Sequence, residues 1–161
     1  MSGQAREADG VIAEAMAMAA QQAARDPKNI EVATDELAVL GQASLIALRA
    51  GDPARSIRHG RAALAIAARL PAGTLTSRDV RSDIAEAKSY LGFALLATAQ
   101  ARSVEAARRR ALLTEARDLL GEAKAFLAEV RAQKLGTFPE EEAREIEEAL
   151  ARCDAALARL G

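Results

Sequence analysis

Apolar residues recur every three or four positions along nearly the whole chain, and the few helix-breaking residues fall between these stretches. Such spacing gathers the apolar side chains on one face of an α-helix. The pattern therefore predicts an all-α chain with almost no sheet. We expect about six helices, at residues 4–24, 30–50, 53–70, 77–101, 103–134 and 139–160.

Local residue chemistry marks several of the expected helix ends. Gly51 tolerates the backbone conformation found just after a helix, Asp52 is a good N-cap and Pro53 suits a first helical turn. Ser103 is the expected N-cap of the fifth helix, and Thr137 opens a capping box for the sixth. Because the turns between these ends are short, consecutive helices are expected to form antiparallel hairpins.

Two kinds of segment recur along the chain. The stretch AMAMA at residues 15–19 matches ALAIA at residues 63–67, an offset of 48, and AKAFLA from residue 123 is a weaker echo. A second type comprises DELAVLGQASLIAL from residue 35 and SDIAEAKSYLGFALL from residue 82. The chain therefore alternates two kinds of helix.

Alanine is the residue that the first kind of segment shares. A small side chain at a helix crossing lets two backbones approach to roughly 8 Å. We therefore expect Ala15, Ala63 and Ala123 at contacts between helices. Each hairpin buries only one face by itself, so the hairpins are expected to stack, with the glutamate-rich last helix as a cap.

The stretch LAVLGQASLIALRAGDPARSIRHGRAALAIA at residues 37–67 resembles a degenerate tetratricopeptide repeat. Gly51 and Asp52 fall at the turn of that repeat, and Ser56 and Ala63 fall at its small positions in the second helix. YLGFALL at residues 90–96 resembles part of another copy with an expanded turn. The resemblance implies stacked helical hairpins whose first helices line a concave side.

A resemblance to a more specific group of proteins covers most of the chain. The segments ARDPKN, DELAV, SDIAEAKSYLG, AARRRALLTEARDLL and ALARCDAALARL are similar to the C-terminal helical-repeat tails of large bacterial serine/threonine protein kinases. The sequence contains no glycine-rich phosphate loop, no HRD-type catalytic stretch and no DFG. The resemblance therefore implies recruitment or scaffolding, without kinase chemistry.

Composition and charge exclude several classes of partner. The chain has 22 basic and 23 acidic side chains, and its net charge of −1 does not provide the positive field of a nucleic-acid binder. No apolar run approaches the roughly 18 residues that a membrane-spanning helix needs. A single cysteine cannot form an internal disulfide, and the N-terminus MSGQAREADG has no signal-peptide pattern. We expect a cytoplasmic protein that binds neither nucleic acid nor membranes.

These observations predict a non-enzymatic scaffold that binds a protein or peptide segment and holds no cofactor. The expected partner-binding residues are Leu40, Ser44, Ala47, Arg55, Arg58, Tyr90, Phe93 and Ala97. The arginines on the third helix leave open whether the ligand is acidic or phosphorylated. One histidine and one cysteine are too few for the usual metal sites, and Cys153 is expected to be a small buried apolar residue.

Two other functions remain open at this point. His59 could be the phosphoacceptor of a histidine-phosphotransfer bundle, although the position three residues later, where such bundles place a lysine, is Ala62. The chain could also be a purely structural bundle that self-associates. Nothing in the sequence excludes this second alternative.

Overall fold

A computed structural model describes residues 3–133 and 139–160, with side chains from residue 10 onward. Over these residues the chain is all-helical, with six α-helices and no strand, as the sequence pattern predicts. The helices are α1 (Gly3–Arg25), α2 (Ile30–Arg49), α3 (Pro53–Ala67), α4 (Arg78–Ala99), α5 (Ala106–Gln133) and α6 (Glu140–Ala158), and a 3₁₀ turn covers Thr74–Thr76. None of the helices in this part of the chain has the length and apolar character needed to cross a membrane.

The boundary between α2 and α3 forms as the sequence predicts. Gly51 has a φ of 77°, a conformation that glycine adopts without the steric penalty of a side chain. The Asp52 carboxylate accepts a hydrogen bond of 2.9 Å from the backbone N–H of Arg55 and caps α3. Pro53 occupies the first turn.

Several other helix ends differ from the expectation by one to three residues, and three of them have a local explanation. α3 ends at Ala67 instead of residue 70, because the residues before Pro71 form a tighter turn and a residue that precedes proline disfavours the helical conformation. Glu105 takes the N-cap position expected for Ser103, since its carbonyl accepts the N–H of Arg109 at 2.8 Å. α6 begins one residue after Pro139, and the expected cap at Thr137 lies outside the described residues.

Each helix packs against the next along the chain, and α4 also contacts the two other even-numbered helices, α2 and α6. α2 packs against α4 as well as α1 and α3, and α4 contacts α6 as well as α3 and α5. α4 is therefore the central helix. As a result, one side of α4 lies between α2 and α6.

The core consists of two apolar clusters that meet on α4. One cluster joins α2, α3 and the first half of α4, and the other joins α4, α5 and α6. Ala63 and Ala123 are fully buried within them, as expected, whereas Ala15 is only partly buried.

Two glycines lie where helices approach each other closely. A Cβ added at Gly60 of α3 would come within 2.9 Å of Leu91 Cβ on α4. At Gly92 of α4, an added Cβ would come within 2.7 Å of Leu120 Cγ on α5. Because interiors are packed to crystal density, the helices approach this closely only where a side chain is missing.

Candidate functional site

The three predicted partner-binding residues on α2 lie inside the molecule. Ser44 and Ala47 have no exposed surface, and Leu40 is 9% exposed. The Ser44 hydroxyl lies 2.9 Å from the Ser56 hydroxyl and donates a hydrogen bond of 3.0 Å to the Ser56 carbonyl. These residues pack α2 against its neighbours, and their burial does not support a contact with a partner.

The residues of α2 that reach the surface come directly after Ser44 and Ala47 in the sequence. An α-helix turns by about 100° per residue, so the residues that follow Ser44 and Ala47 face a different direction. Those residues, Leu45 and Leu48, are half-buried at the surface. They are the residues that sequence reasoning missed, although they have the same three-residue spacing.

Leu45 and Leu48 line a cavity of about 630 Å³ between α2, α4 and the start of α6, which we call the groove. Two predicted residues, Tyr90 and Phe93 of α4, also line it. The complete lining is Leu45, Leu48, Arg49, Tyr90, Phe93, Pro139, Glu140, Glu141, Glu142 and Glu145. The groove thus combines an apolar floor with an acidic rim.

The sequence of α4 explains why this side of the helix differs from the other. Glu86, Tyr90, Phe93 and Ala97 follow one another at intervals of four, three and four residues, which places them on one side. The first three are half-buried, and Ala97 is exposed one turn beyond Phe93, outside the groove lining. Leu95, on the packed side, has no exposed surface.

Carboxylates from two helices crowd together at the acidic side of the groove. Glu86 lies in an adjoining cavity of about 220 Å³ that shares Glu142 with the groove. Burial raises the pKa of Glu86, and the charge of Glu142 raises it further, while hydrogen bonds from Gln42 and Tyr90 oppose the shift. Burial and the charge of Glu145 raise the pKa of Glu142.

Tyr90 lies among these carboxylates. Its pKa is raised above the usual range first by burial and then by the charges of Glu86 and Glu142, while Arg49 acts in the opposite direction. The phenol is therefore neutral and serves as an aromatic wall with a polar tip.

Several carboxylates elsewhere on the surface have a basic partner. Arg61 and Glu115 lie 3.0 Å apart, as do Lys124 and Glu147. Among residues 10–133 and 139–160, by contrast, no ion pair joins Glu86, Glu142 or Glu145 to a base. The groove therefore concentrates negative charge.

The predicted arginines belong to another part of the surface. Arg55 and Arg58 lie on α3, and neither lines the groove. Arg55 lies 3.8 Å from the Asp52 carboxylate. The structure therefore does not unite them with Tyr90 and Phe93 in one binding surface.

His59 lies beside these two arginines and is half-buried. Burial lowers the pKa of His59, and the charges of Arg55 and Arg58 lower it further, with Asp52 opposing them. The imidazole is therefore held in its neutral form at neutral pH.

Cys153 is buried on α6, as expected, and burial raises the pKa of its thiol. A raised pKa keeps the thiol protonated and unreactive. In the part of the chain with described side chains, no group of three or more histidine, cysteine, aspartate and glutamate residues is placed to hold a metal ion.

The groove is the feature with the most distinctive chemistry. A second cavity of about 550 Å³ lies between the α1–α2 turn and the end of α3, but its charged residues balance: Asp26 and Glu36 against Lys28 and Arg69.

Compared with protein-family models, curated proteins and solved structures, the chain matches none.

Proposed function

We propose that the chain is a non-enzymatic interaction module that binds a peptide segment of another protein in the groove. The observation that carries this proposal is the apolar floor formed by Leu45, Leu48 and Phe93, which remains open at the surface between three helices. Its volume of about 630 Å³ lies within the usual range for ligand sites. Apolar and aromatic side chains in such a concavity provide the anchoring contacts of an interface.

The order of the helices supports an arrangement of repeated hairpins. α2, α4 and α6 alternate with α3 and α5 along the chain, and α4 contacts both α2 and α6. In a tetratricopeptide-like stack, the first helices of successive hairpins share the concave side. We propose that α2, α4 and α6 have this role here, so the groove is the concave side of a short, degenerate repeat.

The resemblance to kinase tails suggests a biological setting for this binding. A groove of this kind next to a bacterial kinase domain would recruit a substrate or a regulator. Co-purification of a kinase activity with the native protein tests this setting separately from the groove itself.

Selection from a displayed peptide library tests the groove directly. Peptides enriched on the wild-type chain are measured against Leu48→Ala, which removes part of the floor, and against the matched variant Leu119→Ala. Leu119 is another half-buried leucine, but it lies on α5 and outside the groove. We expect Leu48→Ala to weaken binding roughly tenfold, as for an interface anchor, and Leu119→Ala to leave it unchanged.

Two outcomes would reject the proposed function. One is a selection that enriches no peptide above background. The other is a set of peptides that bind Leu48→Ala and wild type equally. Thermal melts of both variants confirm that each remains folded at the temperature of the binding assay.

A further inference from the structure

We propose that the segment bound in the groove is cationic, with lysine or arginine side chains on either side of a bulky apolar residue. This inference rests on the proposed function above and specifies the chemistry of its ligand. The apolar residue would contact Leu48 and Phe93 on the floor, and the basic side chains would reach the glutamates of α6.

The first argument is the charge of the groove. Its lining contains four glutamates and one arginine, Arg49. Glu86 adds a further carboxylate beside Glu142 in the adjoining cavity, where Arg78 also lies. An acidic segment would bring like charges together at the rim, whereas a cationic segment complements it.

The second argument is the distribution of ion pairs within the rim. Glu140 lies 3.0 Å from Arg131, and Glu141 lies 4.0 Å from Arg144. In the described part of the chain, Glu142 and Glu145 make no such pair, although they lie on the same helix. Although Glu142 accepts a hydrogen bond from Ser89, its charge and that of Glu145 are not paired with a base among the described residues and can attract the charges of a ligand.

The pKa directions agree with this distribution. Burial raises the pKa of both Glu142 and Glu86, and the charges that raise them further are other carboxylates, Glu145 for the first and Glu142 and Asp83 for the second. Carboxylates held close together favour a nearby positive charge because it reduces their mutual repulsion. A lysine or arginine of the ligand provides that charge.

The apolar floor separates this site from a simple acidic patch. A polycation without an apolar residue would gain only screened surface attraction, which is weak at physiological ionic strength. Burial of an apolar side chain against Leu45, Leu48 and Phe93 adds a contribution that salt does not screen. The ligand is therefore expected to need both kinds of residue.

The experiment first determines the sequences of the enriched peptides and then substitutes the glutamates of the rim. We expect lysine and arginine to be over-represented next to leucine, phenylalanine or a similar residue, relative to the unselected library. The isosteric double variant Glu142→Gln/Glu145→Gln should bind these peptides about tenfold more weakly at low ionic strength. The difference between variant and wild type should shrink at high salt.

Glu148→Gln is the matched control for the rim. Glu148 lies on the same helix, is exposed and pairs with Arg144 at 3.9 Å, but it does not line the groove. Its substitution should leave peptide affinity unchanged. Equal weakening by Glu148→Gln and by the double variant would show a general effect of net charge and would overturn the inference.

Other results separate the inference from the proposed function. Enriched peptides that are neutral or acidic, yet lose affinity for Leu48→Ala, would overturn the cationic ligand and leave the groove as the binding site. A selection that enriches nothing would reject both. A concentration-dependent mass in sedimentation that Glu142→Gln/Glu145→Gln abolishes would assign the groove to a second copy of the chain and overturn the inference.

Discussion

The two sides of α4 differ in how tightly their side chains are packed. On the packed side, Leu95 has no exposed surface, Leu91 is 2% exposed, and Gly92 lies so close to α5 that a methyl group would not fit. On the groove side, Tyr90 and Phe93 keep part of their surface open to solvent. One helix thus carries tightly packed core contacts on one side and the lining of the open groove on the other.

This difference shows that apolar character alone does not reveal a residue's role. Leu95 and Leu45 are both leucines at helical contacts, yet one is enclosed by α4, α5 and α6 and the other lies at the edge of an open cavity. The cost of removing a side chain depends on how completely its neighbours enclose it. Substitutions of the same type on the two sides should therefore differ in effect.

The largest expected effect is on the packed side. Leu95→Ala should lower the free energy of unfolding by about 2–5 kcal/mol, because it leaves a cavity in the buried cluster. Leu45→Ala should lower it by less than about 1.5 kcal/mol, since solvent already reaches this side chain. Urea denaturation measures both values. Similar losses for the two variants would contradict the distinction between the two sides.

A single added methyl group should also destabilise the packed side. Gly60→Ala should cost about 1–3 kcal/mol, since the new Cβ would lie 2.9 Å from Leu91 Cβ, which is fixed to the backbone of α4. Gly121→Ala is the matched control, because no atom lies within 4 Å of an added Cβ there. This control should stabilise α5 by about 0.5–1 kcal/mol through reduced backbone entropy. A stabilising Gly60→Ala in thermal unfolding would show that the helices are not in close contact at this crossing.

The carboxylates of the groove side should produce a smaller, pH-dependent effect. A glutamate with a raised folded-state pKa contributes stability below its unfolded pKa and loses this contribution as the pH rises through the folded value. Wild type should therefore gain stability relative to Glu86→Gln/Glu142→Gln as the pH falls from neutral towards 4.5, the ordinary glutamate value. Chemical denaturation across this range measures the difference. A difference that stays constant with pH would show that the folded state does not raise the pKa values of these two glutamates.

The smallest expected effect concerns a paired charge away from the groove. Arg61 and Glu115 lie 3.0 Å apart on α3 and α5, and both side chains are substantially exposed. A double-mutant cycle with alanine should give a coupling of about 0.2–1 kcal/mol. High salt should reduce it further. A coupling of several kcal/mol would mean that this pair contributes to the fold in the same way as the packed side of α4.

Features governed by neighbouring residues were predictable from the sequence. The turn at Gly51, Asp52 and Pro53 follows from the backbone preference of glycine, the side-chain acceptor of aspartate and the fixed φ of proline. The burial of Ala63 and Ala123 was expected because both lie in the recurring alanine-rich segments of the sequence. The six helices follow from the same periodicity.

The residues of α2 that face the surface could not be predicted in the same way. α2 contacts α1, α3 and α4, so apolar residues cover most of its circumference and periodicity alone does not indicate the open side. The expected row, which includes Ser44 and Ala47, was therefore one residue away from Leu45 and Leu48. Only the arrangement of the neighbouring helices distinguishes the two rows.

The acidic side of the groove depends on contacts between distant parts of the chain. Glu86 and Glu142 are 56 positions apart, and nothing in the sequence indicates that α4 and α6 bring them together. The glutamates at the start of α6 are also explained by their favourable interaction with a helix N-terminus. The sequence pattern was therefore consistent with a capping helix and did not reveal the acidic rim of the groove.

A chemical-shift titration of the isotope-labelled chain with a selected cationic peptide tests most directly whether the groove is the recognition surface. We expect the largest shifts at Leu45, Leu48, Phe93 and Glu142, with little change at Arg58 on α3. Large shifts around Arg58, with none in the groove, would contradict the assignment of recognition to α2, α4 and α6.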